Sequence, residues 1–212
     1  IIIVLLVVFG FFIFSSASLG LLAREGARFS SVAFSQIVFG ICGGGIALFL
    51  TSQIFYRNWR EYAFYIFVGT VILTLAVFIP GIGMEHGGAQ RWIKLGGFSF
   101  QPAELLKIGF LIYMATWLSG VSKTIGSFKQ GTLPFVCITG IVAVVMLLQP
   151  DTDTFLIMAI SATAMFITAG GSWRDVALMF VAGVLLIAVL AFSRPYIKDR
   201  IETFFNPDLD PQ

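Results

Sequence analysis

The residues best suited to chemistry lie in one short segment, Gly87–Lys107, which reads GGAQRWIKLGGFSFQPAELLK. It is a polar, aromatic loop broken by glycines, and it runs directly into an apolar helix that carries Glu104 and Lys107. Ionisable side chains at the edge of a membrane are costly to place, so by default they indicate a function. The cations of this segment could hold phosphate, and its indole could stack on a sugar.

Lys107 follows Glu104 by three residues, so the two side chains share a helix face and can pair. A lysine one turn inside an apolar run could also extend its ammonium outward with no further role. Arg91, Trp92 and Lys94 precede the pair, on the same side of the membrane. Interfacial anchoring explains Trp92 as well as a binding role does. An ion pair, an anionic headgroup site and simple anchoring therefore all stay open.

One small pattern occurs twice, as Gln101-Pro102-Ala103-Glu104 and as Gln149-Pro150-Asp151. Proline suits the first turn of a helix because that turn has no use for its missing amide hydrogen. An acid in the same turn meets the positive end of the helix dipole. Both segments can thus be simple helix starts, or they can contribute polar groups to one site.

The composition indicates that these segments belong to a membrane protein. The chain is 58% hydrophobic and 11% charged, with a mean hydropathy of +0.96. A helix crosses the hydrocarbon with ~20 mostly apolar residues. We therefore predict an all-α, polytopic helical membrane protein with seven transmembrane helices, at Ile1–Ser18, Val32–Phe55, Tyr62–Ile79, Ala103–Leu118, Leu133–Leu148, Thr154–Ala169 and Val176–Phe192.

The loops predict the orientation. The short loops after spans two, four and six carry five basic residues, Arg57, Arg60, Lys123, Lys129 and Arg174. The longer loops on the opposite side carry seven basic and eight acidic residues over more than twice the length. Basic density marks the cytoplasmic side, so the N-terminus is predicted inside and Gly87–Lys107 outside.

Several other classes find no support in the sequence. No nucleotide-binding or Ser/His/Asp pattern appears, so no cofactor is identifiable. The single histidine, His86, lacks the neighbouring ligands that a metal site needs. The net charge is only +2 and the basic residues are spread among the loops, so no nucleic-acid partner is expected. The chain opens at Ile1 inside an apolar run and stops at Gln212 in a polar loop, and we expect a larger protein.

Four ordered segments resemble a known family. Gly88–Lys107 closely resembles the signature of the SEDS proteins (shape, elongation, division and sporulation; FtsW, RodA and SpoVE). Leu147–Thr154 is similar to the family's Gln-Pro-Asp-x-Gly-Thr, with Asp153 where glycine is usual. Phe166–Gly170 and Arg194–Pro211 follow in the expected order. The stretch Ser127–Pro134 resembles the FtsW members more than RodA.

The resemblance implies a glycosyltransferase that polymerises lipid II at the outer face of the bacterial cytoplasmic (inner) membrane, at the division septum. It implies about ten spans, of which residues 1–192 hold a seven-helix bundle. Residues 193–212 begin a large extracytoplasmic loop. The implied partners are lipid II, a class B penicillin-binding protein and other divisome proteins, within membrane lipid.

Lipid II carries a pyrophosphate, whose leaving-group charge must be neutralised by cations or by a metal, so a divalent cation is compatible with the resemblance. On this interpretation Arg91, Lys94 and Lys107 clamp the pyrophosphate, Trp92 forms a wall of the cavity, and Glu104 holds Lys107. Asp151 borders the same cleft. The expected substrate-binding set is Arg91, Trp92, Lys94, Gln101, Glu104, Lys107 and Asp151.

Two other functions stay open. A lipid-linked oligosaccharide flippase would use the same cationic cavity without a base. A non-catalytic scaffold of the cell-wall synthesis complex would need neither Lys107 nor Trp92 for polymerisation.

The family's catalytic aspartate lies later in the large outer loop, beyond Gln212. Asp199, Asp208 and Asp210 belong to the early part of that loop and are not assigned as the base. We therefore predict that the purified 212-residue chain alone does not polymerise fluorescent lipid II, because a transferase needs a carboxylate base for its acceptor hydroxyl. Glycan ladders on a gel from this chain would contradict the prediction.

Overall fold

The computed structural model describes residues 2–25, 36–86, 89–95 and 98–193. Contacts divide the chain into two compact units, Ile1–Asn58 and Trp59–Gln212. In the first unit, helix α1 covers Ile2–Glu25. A π-helical segment, Gln36–Gly43, runs directly into α2, Gly44–Ser52. The first predicted span falls on α1 and the second on the π-helical segment and α2, except that positions 1 and 32–35 lie outside the described residues and positions 53–55 follow the end of α2.

The second unit is built from five helices and a small sheet in the part of the chain that is described. Helix α3, Tyr56–Leu75, ends in a 3-10 turn, Ala76–Phe78. Three strands follow, and then α4 begins at Pro102. A π-helical segment precedes α5. The remaining bounds are β1 Gly83–His86, β2 Ala89–Leu95, β3 Phe98–Phe100, α4 Pro102–Val121, the π segment Phe128–Thr132, α5 Leu133–Leu148, α6 Thr152–Thr168 and α7 Trp173–Ser193.

Three segments are long and apolar enough to cross a bilayer, judged on the described residues by length and composition: Tyr56–Phe78, Pro102–Val121 and Phe128–Leu148. Shorter apolar helices lie at Ile2–Ser16, Gly40–Ser52 and Thr152–Thr168. The prediction of a mostly helical membrane protein is confirmed, while the count of seven spans stays a prediction.

Aromatic side chains hold the helices of the second unit together. The Phe67 ring of α3 stacks on Tyr113 of α4 at 5.0 Å between centroids and contacts Phe110 at 6.2 Å. Phe135 of α5 meets Phe166 of α6 at 4.7 Å. Three of these rings, Phe110, Phe135 and Phe166, are almost fully buried. Most of the large apolar side chains outside this core are exposed, as lipid-facing positions require.

The described residues are mostly helical, as predicted, and they also contain a small sheet that was not predicted. The predicted outer loop, Pro80–Pro102, folds into a three-stranded antiparallel sheet in the order β1-β2-β3. β2 alternates buried Ala89 and Ile93 with exposed Gln90 and Lys94, the two-residue period of a half-buried strand. The sequence analysis searched for spans and so missed this short period.

Gly83 allows β1 to start against the end of α3. A Cβ atom at this position would overlap the carbonyl oxygen of Val77, in the 3-10 turn that ends α3. Backbone atoms cannot move aside cheaply, so only glycine fits. This close approach places the start of β1 against the end of α3.

Gly109 sits where α4 approaches α3, and a Cβ atom there would lie 2.5 Å from Thr70 Oγ1. We predict that Gly109→Leu lowers the stability of the full-length protein by about 1–3 kcal/mol, because extra volume in a packed interface forces the helices apart. Thermal unfolding in detergent measures the change. Gly120→Leu on the same helix is the control, because a Cβ there meets nothing within 4 Å. Equal losses for both variants would contradict the predicted close packing.

Candidate functional site

The turn between α5 and α6, Gln149-Pro150-Asp151, is the centre of a polar cluster. Asp151 is only 4% exposed. It is the N-cap of α6, and its Oδ1 accepts a hydrogen bond from the Thr154 amide at 3.4 Å. The interpretation of this motif as a helix start is therefore confirmed. A buried carboxylate also needs further partners, and the second one comes from another helix.

Gln101 supplies that partner. Pro102 begins α4 at its first turn, as predicted, and Gln101 is the N-cap residue without capping the helix through its side chain. Its Nε2 instead donates to Asp151 Oδ2 at 2.7 Å. The two Gln-Pro motifs, far apart in sequence, thus meet in one contact.

Gln149 joins α3 to the same cluster. Its side chain is fully buried, and its Nε2 donates to the Thr74 carbonyl at 2.6 Å. Among the residues that the structure describes, Gln149 Oε1 has no hydrogen-bond partner. The sequence pattern did not predict a role for Gln149. The signal that could have found it is the repeated Gln-Pro pair, whose first member, Gln101, was singled out.

Arg91 anchors the sheet to this turn. Its Nε donates to the Gln149 carbonyl at 2.9 Å, and its Nη2 donates to the Pro150 carbonyl. The β1–β2 register shifts beside it, since Met84 pairs with Trp92 and Glu85 with Gln90. Such a bulge redirects a side chain. The guanidinium thereby meets the carbonyls after α5, where a helix favours positive charge.

Trp92 and Lys94 lie on the other face of β2. The residue between them, Ile93, is 5% exposed and faces the helices, whereas Lys94 is exposed and Trp92 is half-buried. Side chains alternate along the strand after the bulge, so Trp92 and Lys94 lie on the face opposite Ile93, while the bulge directs Arg91 to the turn after α5. The sequence analysis grouped the three residues on one side of the membrane; the structure gives them two different surroundings.

Glu104 and Lys107 form the predicted ion pair. Lys107 Nζ lies 2.8 Å from Glu104 Oε2, with the lysine side chain 26% exposed and the glutamate 58% exposed. A pair at this spacing contributes only about 0.2–0.5 kcal/mol to an isolated helix. The contribution of this ion pair to helix stability is therefore too small to explain why a lysine lies inside the apolar helix α4. The exposed partner leaves the ammonium able to exchange the carboxylate for another anion.

Taken together, these groups can bind and orient an anion near the ends of α3 to α6. Within the described ranges, no group of three or more His, Cys, Asp or Glu side chains could hold a metal ion. The polar residues fall into two sets: a frame of Arg91, Gln101, Gln149 and Asp151 joined by hydrogen bonds, and a second set of Trp92, Lys94, Glu104 and Lys107, of which Lys94 and Glu104 are exposed.

Comparison with known proteins gives a consistent picture. The profile of the FtsW, RodA and SpoVE family, described as "Cell cycle protein", matches residues 1–212. A probable peptidoglycan glycosyltransferase FtsW of Geobacter sulfurreducens is 37% identical over 176 residues, which cover 83% of this chain and 47% of the relative. Stage V sporulation protein E of Bacillus subtilis is 32% identical over 168 residues, covering 79% and 46%. The chain spans about half the length of the curated relatives it matches.

Solved structures share the fold. A chain from a peptidoglycan synthase complex, solved for its structural coordination of polymerization and crosslinking, gives a TM-score of 0.69 at 24% identity. The match covers 94% of this chain and 59% of that one. The rod shape determining protein RodA of Thermus thermophilus gives 0.61 at 24% identity, covering 84% and 58%. At these identities the likeness shows the fold alone.

The contact between Gln101 and Asp151 can be measured by a double-mutant cycle. We predict that Gln101→Ala and Asp151→Ala in the full-length protein couple by about 1–3 kcal/mol in the free energy of unfolding, because a buried hydrogen bond to a carboxylate joins them. The matched control pairs Gln101→Ala with Ser161→Ala, about 15 Å further along α6, and should be additive. A coupling energy as small as that of the control would contradict the contact.

Proposed function

Because this chain belongs to the FtsW, RodA and SpoVE family of cell cycle proteins, we propose that the protein carrying it polymerises lipid II into peptidoglycan during cell division. The observation that carries this proposal is the Lys107–Glu104 pair beside the joined Gln-Pro motifs. The Lys107 ammonium can exchange Glu104 for another anion, and it lies beside the frame of hydrogen-bonded polar residues described above. The names of relatives at 37% and 32% identity support glycosyl transfer as the reaction.

In the proposed reaction, an acceptor sugar hydroxyl attacks the anomeric carbon of a lipid-linked sugar. The bond from that carbon to the pyrophosphate breaks, and the pyrophosphate leaves with the electron pair. A base takes the proton of the hydroxyl. We assign this base to none of the described residues. The described residues act on the leaving group and on the position of the two sugars.

Lys107 is proposed as the main cation for the pyrophosphate. On binding, its ammonium would turn from Glu104 to the phosphate oxygens, whose negative charge grows as the bond breaks. Glu104 would hold the ammonium in position in the free protein. Lys94 and Trp92, on the outer face of β2, would contact the sugars and the outer phosphate. Their shared strand face supports this division of roles.

Arg91, Gln101 and Asp151 are proposed to act indirectly. They would hold β2, the start of α4 and the turn before α6 in place around the substrate. The Arg91 donors already contact two backbone carbonyls, and the Asp151 carboxylate accepts from Gln101 and Thr154. These contacts support a positioning role near the substrate. They would keep β2 and the start of α4 in register while the donor and acceptor sugars bind.

We place the site at the outer face of the bacterial inner membrane, at the division septum, with the N-terminus in the cytoplasm. The basic loops after spans two, four and six support this orientation. A class B penicillin-binding protein is the proposed membrane partner. The fold shared with a chain of a peptidoglycan synthase complex supports that partnership.

We predict that Lys107→Gln in the full-length protein, assayed with its transpeptidase partner, lowers lipid II polymerisation by about 100-fold or more, because one charged donor to a developing anion is lost. Glycan chain formation from fluorescent lipid II measures the change. Arg60→Gln is the charge-matched control, because Arg60 is exposed and stands about 21 Å from Thr74 along α3.

The same assay separates the other functions. Polymerisation that is unchanged in Lys107→Gln would contradict the catalytic proposal and favour a scaffold. A wild-type protein that moves lipid II across vesicles without forming glycan chains would indicate a flippase. Unfolding temperatures of both variants, compared with wild type, exclude loss of fold as the cause.

A further inference from the structure

A second surface with defined contacts lies at the ends of α4, α5 and α6 that are far from the sheet. The loop between α4 and α5 meets the first turn of α7 through one buried contact. Thr132 donates its hydroxyl to Asp175 Oδ2 at 2.6 Å, and the two residues are only 2% and 5% exposed. Neither residue takes part in the site described above.

Close backbone packing fixes the same two loops. A Cβ atom at Gly131 would overlap the carbonyl oxygen of Ile125, so this turn accepts only glycine. Ile125 is 3% exposed, and its Cγ2 lies 3.7 Å from the Cβ position of Gly170, in the loop before α7. The two loops therefore form one surface with a fixed geometry.

This surface displays cations and large aromatic rings. Lys123, Lys129 and Arg174 are exposed, and so are Phe128 at 60% and Trp173 at 70%. Residues 122–132 and 169–175 contain one acid, Asp175, which is buried on Thr132 with Arg174 Nε 3.9 Å away. Since that carboxylate is turned inward, the exposed surface is positive. We call the exposed residues Lys123, Phe128, Lys129, Trp173 and Arg174 the basic-aromatic surface.

We propose that the basic-aromatic surface binds the headgroups of anionic phospholipid in the cytoplasmic leaflet. Charge complementarity supports this occupant, because three cations meet no exposed acid in the two segments. Tryptophan and phenylalanine beside lysine and arginine suit the level of the headgroups. Leu133 and Leu178, on the adjoining turns of α5 and α7, are 46% and 59% exposed and offer apolar contact to the acyl chains.

A lipid fits this surface better than an acidic protein would. The exposed aromatics Phe128 and Trp173 adjoin the apolar helices α5 and α7, an arrangement that suits the level of the headgroups. The Thr132–Asp175 contact holds the surface in place before any ligand arrives. The inference uses the orientation predicted from the basic loops but not the proposed reaction, since it concerns the opposite end of the 20-residue α4 from Lys107.

The test uses the full-length protein in nanodiscs made of phosphatidylcholine with or without phosphatidylglycerol. Lipid retained after extraction is measured by native mass spectrometry. We expect wild type to retain phosphatidylglycerol in preference to phosphatidylcholine. In the triple variant Lys123→Gln, Lys129→Gln, Arg174→Gln, the ratio of retained phosphatidylglycerol to retained phosphatidylcholine should fall by about five-fold for each cation removed.

The matched control keeps the charge. Lys123→Arg, Lys129→Arg, Arg174→Lys should retain the preference, because a headgroup is attracted by charge at this surface. An unchanged preference in the glutamine variant overturns the proposal, and so does its loss in the charge-preserving variant. Loss of activity in the glutamine variant with unchanged lipid retention assigns the surface to an acidic protein partner and also overturns it.

The leaflet is tested by labelling. Ser127 lies exposed in the same loop, and Ser127→Cys, in a background with Cys42 and Cys137 replaced by serine, should react with a membrane-impermeant maleimide only in inverted membrane vesicles. Labelling in intact spheroplasts would place the surface outside and overturn the assignment to the cytoplasmic leaflet.

Discussion

The fold of the second unit depends on satisfying polar groups inside an apolar bundle. At the turn Gln149–Asp151, backbone carbonyls and two polar side chains are withdrawn from water, where each unsatisfied group costs about 1–3 kcal/mol. Their partners come from different elements: Thr74 from α3, Arg91 from β2 and Gln101 from α4. Because these three partners lie far away in sequence, the turn sets how these elements meet. The accessible cations take their positions from this arrangement.

A buried carboxylate is stabilised in the same way at each end of the unit. Asp151 and Asp175 are both buried acids at the start of a helix, where the dipole favours negative charge. Each accepts a hydrogen bond from a neutral side chain on another element, Gln101 or Thr132. The close hydrogen bond to each carboxylate thus comes from a neutral donor, with Arg174 Nε 3.9 Å from Asp175. Lys107 at one end, and Lys123 and Lys129 at the other, are thereby left for anions outside the core.

The sequence predicted the features that depend on local pattern. Hydropathy located the helices, with α5 at its predicted bounds, and three-residue spacing predicted the Lys107–Glu104 pair. It did not predict the sheet, because a strand of seven residues gives a short alternating signal next to long apolar runs. It also did not separate Arg91 from Trp92. That separation follows from a bulge and from carbonyls 58 positions away, and pairing over such a distance leaves no mark in a local window.

The contrast between Arg91 and Lys107 shows why two cations near one site take different roles. A guanidinium presents a rigid set of donors, and that of Arg91 is directed at fixed backbone carbonyls, which cannot move away. An ammonium is a compact charge on a flexible stem, and that of Lys107 contacts a side chain that is itself exposed. If a phosphate replaced Glu104 as the partner of Lys107, only a weak contact would be lost. If an anion replaced the carbonyl partners of Arg91, the sheet would lose this contact with the bundle. In the proposed reaction, Lys107 would therefore be the cation that binds and releases the leaving group, while Arg91 holds the sheet to the turn after α5.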